Sequence, residues 1–298
     1  MRALLFASVL SVAGLPAAAT QVTARADSLY SPSLGQTTRF VAVLPDGYDS
    51  TGSYPVLWLL HGYGGNDSSW VKYSQLTHYL QPYPIVVVLP DAQVSWYVNA
   101  LRDPAARFED YLIRDLTKTV AAHYAVDLAR QAIAGLSMGG YGAVVPGLRH
   151  PDRFRFIGAL SAVLTVPRDV ERFDSIGGFA IPSLRLAFGE GPSRFRDRHD
   201  PFLLFRQTPP DALPFIYMAI GTADEFHTLL PRNREFADSL RAYGAVYSYT
   251  ELPAHHSWVF WNRVLPDLLS QVWQTVTAPR PNTSPRFGDW SLQRKGGR

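Results

Sequence analysis

The hexapeptide Gly135-Leu136-Ser137-Met138-Gly139-Gly140 restricts the fold of this chain more than any other feature. It follows the apolar run Ala132-Ile133-Ala134 and precedes a stretch that reads as helix up to His150, where Pro151 stops it. A residue that ends a strand and opens a helix within one step sits on a very tight turn. Its neighbours two positions before and two after must then be small, or they collide. The pattern therefore predicts a strand, an exposed Ser137 at its carboxyl end, and a helix whose N-terminus favours negative charge nearby.

Other apolar runs repeat that rhythm. Val56 to Leu60 runs into His61-Gly62, Ile85 to Leu89 into Pro90-Asp91, Phe156 to Leu160 into Ser161, and Phe215 to Ile220 into Gly221. Continuous apolar runs, rather than alternation, mark strands covered on both faces. Thr38 to Leu44 and Val246 to Leu252 are more mixed, as strands nearer an edge would be. Helical spacing appears at Phe108, Tyr111, Leu112, Asp115, Leu116, Thr119 and Val120, then over Leu230 to Tyr243 and Val259 to Val276. Strands alternating with helices predict an α/β fold with a mainly parallel sheet and helices on both faces. Leu164 to Pro214 has no clear strand and reads as an insertion over the top of the sheet or a set of short helices there.

The termini read differently. Met1-Arg2, an apolar run from Ala3 to Leu15, Pro16 and Ala17-Ala18-Ala19 have the composition of a signal peptide cleaved near Ala19. That run is short for a bilayer span, so no stable membrane span is expected after processing. Residues 20–277 then form one catalytic domain, and 278–298 a flexible polar tail. The mature protein is expected to be secreted or periplasmic.

Composition narrows the chemistry. The chain of 298 residues has no cysteine, which excludes a thiol nucleophile, disulfides and Cys-ligated metal. The net charge of +3 comes with no run of Lys or Arg, so no nucleic-acid partner is expected. No metal-ligand cluster and no cofactor motif stand out.

A serine hydroxyl needs a base, and the base needs an orienting acid. When the nucleophile is Ser137 on such a turn, the acid and then the histidine follow it in the chain. Asp224, in Gly221-Thr222-Ala223-Asp224, is the first acid just beyond an apolar strand after Ser137, with Glu225 as its alternative. His255 and His256 both lie on the loop between the last strand and the last helix, and sequence physics alone does not separate them. Two backbone donors for a developing oxyanion are expected from Met138 and from Tyr63, within His61-Gly62-Tyr63-Gly64-Gly65.

Taken together, these motifs resemble the esterase D-like family of α/β-hydrolases, which includes S-formylglutathione hydrolases, tributyrin- and feruloyl-type esterases and mycolyltransferases. The resemblance runs from about Thr38 to Trp261. It rests on Leu59-Leu60-His61-Gly62 with Trp70, on Gly135 to Ala143, on Gly221 to Asp224, and on His256-Ser257-Trp258. It implies an α/β-hydrolase fold, Ser137 as nucleophile, Asp224 as acid, His256 as base, and a small helical region at Leu164 to Pro214 that shapes the pocket. His255 stands where the family has a glycine. The activity implied is that of an exported serine esterase acting through an acyl-enzyme on a small-molecule or polysaccharide-linked acyl ester. An acyltransferase that passes the acyl group to a sugar or lipid alcohol is the alternative, and a binding protein on a hydrolase scaffold is the alternative of another class. Trp70, Trp96, Tyr97 and Trp258 are candidates for lining a pocket, with core or rim packing as the commoner use of such residues.

Overall fold

A computed structural model describes residues 21–171 and 180–279. The expected signal peptide and nearly all of the expected tail lie outside the described residues. Ala278, where that tail begins, accepts a hydrogen bond on its carbonyl from Arg155 Nη1 at 2.9 Å.

Eight strands form one sheet: β1 (Thr23–Ser31), β2 (Gln36–Leu44), β3 (Tyr54–Leu60), β4 (Val86–Pro90), β5 (Val126–Leu136), β6 (Phe154–Leu160), β7 (Phe215–Gly221) and β8 (Tyr247–Leu252). Their order is β1-β2-β4-β3-β5-β6-β7-β8. β1 and β2 are antiparallel, as are β2 and β4, and every other neighbouring pair is parallel. Within β3, Trp58 and Leu60 enter the apolar layer on one face while Leu57 and Leu59 enter the layer on the other. Burial on both faces is why these strands carry unbroken apolar runs. Each fully buried Leu or Val adds about 1.5–3 kcal/mol relative to exposure.

The helix Met138–Arg149 covers the first face and the helix Trp258–Thr277 the second. The latter buries Trp261, Val264, Leu265, Leu268, Leu269, Val272 and Val276, an apolar stripe at steps of three and four. The segments Phe108–Asp110, Tyr111–Leu116 and Thr117–His123 run on as one helix, the middle one π-helical.

The two mixed strands lie at or next to the sheet edges, and the strand beyond β2 is the one the sequence did not announce. β8 is an edge strand, as its composition suggests, but β2 is covered by β1. β1 escapes the sequence reading because most of it is exposed and carries no apolar run. Its far end is fixed instead by polar bonds, with Asp115 Oδ2 accepting from Ser31 Oγ at 2.5 Å and from Ser33 N–H at 2.9 Å.

The described part of 164–214 contains no strand and carries the short helices Ile181–Phe188, Arg194–Asp197 and Pro201–Leu204. It is anchored to the central helix by Tyr141, whose hydroxyl donates to the His199 carbonyl at 2.7 Å. Arg149 Nη1 adds bonds to His199 Nε2 (3.1 Å) and to buried Glu109 Oε2 (2.8 Å). Among the described residues, no helix is long and apolar enough to cross a membrane.

Candidate active site

Ser137 joins β5 to the helix Met138–Arg149 with φ 54° and ψ −115°, the strained turn that its small neighbours make room for. Its own N–H is held by the Leu160 carbonyl at 2.8 Å. Gly139 shows how closely the next loop approaches. A Cβ at Gly139 would lie 2.4 Å from the His61 carbonyl oxygen, so only glycine lets the loop after β3 dock on this helix.

Asp224 follows the end of β7, and His256 lies between β8 and the last helix. The two loops are zipped together by Thr222 N–H on the Leu252 carbonyl (2.8 Å) and Ala223 N–H on the Ala254 carbonyl (3.0 Å). Asp224 Oδ2 stands 2.7 Å from His256 Nδ1, and Asp224 Oδ1 accepts the Phe226 N–H at 3.0 Å. With a carboxylate on Nδ1, the neutral ring carries its proton there and leaves Nε2 as an acceptor. Nε2 is 2.9 Å from Ser137 Oγ. The ring is held edge-on between Phe226 and Trp261, at centroid distances of 4.8 and 5.1 Å. Residues 119 positions apart in the chain are thus joined in one line of hydrogen bonds from Ser137 through His256 to Asp224.

The alternatives to this set occupy other places. His255 pairs outward with Glu225, Nδ1 to Oε1 at 2.8 Å, and both side chains are mostly exposed. Asp200, another acid that follows Ser137 in the chain, lies apart from this line: it is buried, caps the helix Pro201–Leu204 through Phe202 N–H, and pairs with Arg168.

The loop after β3 is rigidly arranged. His61 is buried; its Nδ1 bonds the Gly62 carbonyl at 2.8 Å, and its Nε2 accepts the Ala92 N–H at 3.1 Å. Burial holds its pKa below the ordinary histidine value, which agrees with a neutral ring used as a brace. Gly65 N–H also donates to the Gly62 carbonyl, at 3.0 Å.

These elements enclose a cavity of about 600 Å³ lined by Tyr63, Trp96, Ser137, Phe226, His256 and Trp258, among others. Among the described residues, Lys72 is the one lining residue with a fixed charge. Trp70 lies behind the wall, edge-on to Trp258, and Tyr97 packs beneath the loop, so of the four aromatic candidates only Trp96 and Trp258 face the cavity. Among the described residues, none from 164–214 lines it, in contrast to the pocket-shaping role the resemblance implies. The insertion reaches the cavity indirectly, through Ser183 Oγ, which accepts from Trp96 Nε1 at 3.0 Å. A larger cavity of about 830 Å³, between Arg168, Glu171 and Arg196, contains neither Ser137 nor His256.

Sequence reasoning missed the brace formed by His61, Ala92 and Tyr97. The glycine-rich loop pointed toward it, but the partners come from the segment after β4, and no motif announces them.

The model of the Esterase family matches residues 31–272. An acetyl esterase of Caldicellulosiruptor saccharolyticus is 28% identical over 256 residues, covering 80% of this chain and 93% of that protein. The solved S-formylglutathione hydrolase of Agrobacterium tumefaciens superposes with a TM-score of 0.75 at 20% identity, covering 87% of this chain and 98% of that one. A fluorophosphonate-binding serine hydrolase of Staphylococcus aureus superposes with a TM-score of 0.72 at 21% identity, covering 85% and 98%. At these identities the superpositions establish a shared fold, the α/β-hydrolase fold.

Proposed function

The chain belongs to the Esterase family and is a carboxylic ester hydrolase, and from that premise we propose that it works by two-step acyl transfer on Ser137. The observation that carries this reading is the line of bonds at 2.9 and 2.7 Å from Ser137 Oγ through His256 to Asp224 Oδ2. In the first step His256 Nε2 takes the Ser137 proton as Oγ bonds to the ester carbonyl carbon. Asp224 stays ionised, keeps the imidazole in its productive tautomer, and stabilises the imidazolium. The Met138 and Tyr63 N–H groups receive the oxyanion, each worth about 3 kcal/mol of transition-state stabilisation. The imidazolium then protonates the departing alkoxide. In the second step His256 takes a proton from water as the water oxygen attacks the acyl carbon, and the imidazolium returns that proton to Ser137 Oγ as the carboxylic acid leaves.

Purified protein should hydrolyse short p-nitrophenyl esters, and Ser137→Ala should abolish turnover. Equal turnover in both would remove Ser137 from the reaction. Adding an acceptor alcohol separates hydrolysis from acyl transfer, since a transferase would yield the new ester. We further propose export, on the composition of residues 1–19. N-terminal sequencing of protein recovered outside the cytoplasm should then read from close to Thr20, and an intact Met1 would refute it.

A further inference from the structure

The segment after β4 contains two consecutive aromatic residues in a conformation that bulky side chains rarely adopt. Trp96 and Tyr97 both have φ of 57°, and each is 1% exposed. Such strain persists only where the surroundings determine it from several sides.

Here those sides are the two backbone pieces that carry Tyr63 and Met138. Tyr97 donates its hydroxyl to the His61 carbonyl at 2.9 Å. Its ring lies against Gly142 so closely that a Cβ there would come within 2.2 Å of Tyr97 Cδ2. Trp96 sits 6.1 Å from the Tyr63 ring and 6.3 Å from the Tyr141 ring, centroid to centroid. Each residue therefore touches the loop after β3 on one side and the helix opened by Ser137 on the other. The same segment supplies the Ala92 N–H that braces His61. His61 Nδ1 and Gly65 N–H in turn both hold the Gly62 carbonyl. Across a trans peptide, fixing the Gly62 oxygen directs the Tyr63 N–H the opposite way.

We propose that Trp96 and Tyr97 form a positioning splint that sets the separation and aim of the Tyr63 and Met138 N–H groups, with the Tyr97 hydroxyl as its decisive contact. The inference rests on the acyl-transfer reading above. Neither side chain is asked to exchange a proton. Burial raises the Tyr97 phenol well above its usual pKa, so the hydroxyl remains a donor throughout the working range.

Tyr97→Phe in the full chain removes one hydroxyl and keeps the ring on Gly142. Rates are referred to sites titrated with a fluorophosphonate, so unfolded protein does not enter them. For p-nitrophenyl acetate, kcat should fall about 10- to 100-fold while KM changes by less than about twofold. The affinity for phenylboronic acid, whose tetrahedral adduct on Ser137 presents an oxygen to the same donors, should fall by a comparable factor. Unchanged kcat per titrated site and unchanged boronate affinity, whatever happens to Tm, would make Tyr97 a packing residue and overturn the inference. Where Tyr97→Phe gives no folded protein, Trp96→Phe is measured the same way, with the same parallel loss expected and the same null result decisive. Wild-type protein inactive on esters, or activity surviving in Ser137→Ala, would sink the acyl-transfer reading itself, and that is visible without either splint variant.

Discussion

Two acid–histidine pairs stand one residue apart in both loops of the site, Asp224 with His256 and Glu225 with His255. Their Nδ1-to-oxygen distances, 2.7 and 2.8 Å, are practically the same. Their surroundings are opposite. The Asp224 and His256 side chains are 0% and 9% exposed, whereas Glu225 and His255 are 59% and 66% exposed. In water such a pair gains little, because both ions are already solvated. Away from water, a carboxylate aimed at Nδ1 fixes the tautomer and leaves Nε2 toward Ser137 Oγ. Distance therefore does not identify a base here. Burial and the partner of the second nitrogen are what favour His256 over His255 in the proposed reaction.

The largest effect should come from exchanging the roles the two pairs are given. His256→Ala should lower kcat by about 10⁶-fold, to the level left by the oxyanion donors and binding alone. His255→Ala should stay within about threefold of wild type. Similar losses in the two would break the comparison. Asp224→Asn should cost about 10⁴-fold in kcat, because an amide at Nδ1 favours the wrong tautomer. Steady-state kinetics on one p-nitrophenyl ester reads all three.

The legibility of this contrast in sequence was partial, for physical reasons. The central strands and the turn at Ser137 could be read because burial on both faces and a tight turn each demand a residue type. Asp224 could be singled out because it immediately follows such a strand. His255 and His256 could not be separated from residue chemistry, since only the pairing of their loop with the one after β7 buries one and exposes the other. β1 was invisible because an exposed edge strand needs no apolar run. Trp96 and Tyr97 run against local preference altogether. A left-handed tryptophan and tyrosine are dictated by tertiary packing, and no propensity would suggest them.

Burial also sets apart two histidines that have no acid–base assignment. His61 and His199 are 1% and 4% exposed, and burial holds both below the ordinary histidine pKa. His199 faces Arg149, Glu109, Arg198 and the Phe195 carbonyl. Above the unfolded value of about 6.5, neither state binds the proton and the shifts cost nothing. As pH falls below that value the unfolded chain takes up protons that the folded one refuses, so stability is lost. The loss is at most about 1.4 kcal/mol per pH unit for each such histidine. Tm should thus decline between about pH 6.5 and 5, more shallowly in His199→Gln than in wild type. Parallel curves would mean that His199 accepts its proton in the fold.

The smallest effect is the most exacting test of the outer pair. Glu225 is more than a partner for His255, since its Oε2 accepts the His256 backbone N–H at 2.9 Å. Glu225→Gln keeps an acceptor for that N–H and removes the charge, while Glu225→Ala removes both. The bonds from Thr222 and Ala223 to the Leu252 and Ala254 carbonyls remain in either variant, so the loop keeps its register. We expect kcat within about twofold of wild type for Gln, and a somewhat larger loss for Ala. A loss in Gln as large as in Ala would mean that the charge at Glu225, rather than its hydrogen bond, acts on His256. The two pairs would then be one electrostatic unit, and exposure would no longer divide them.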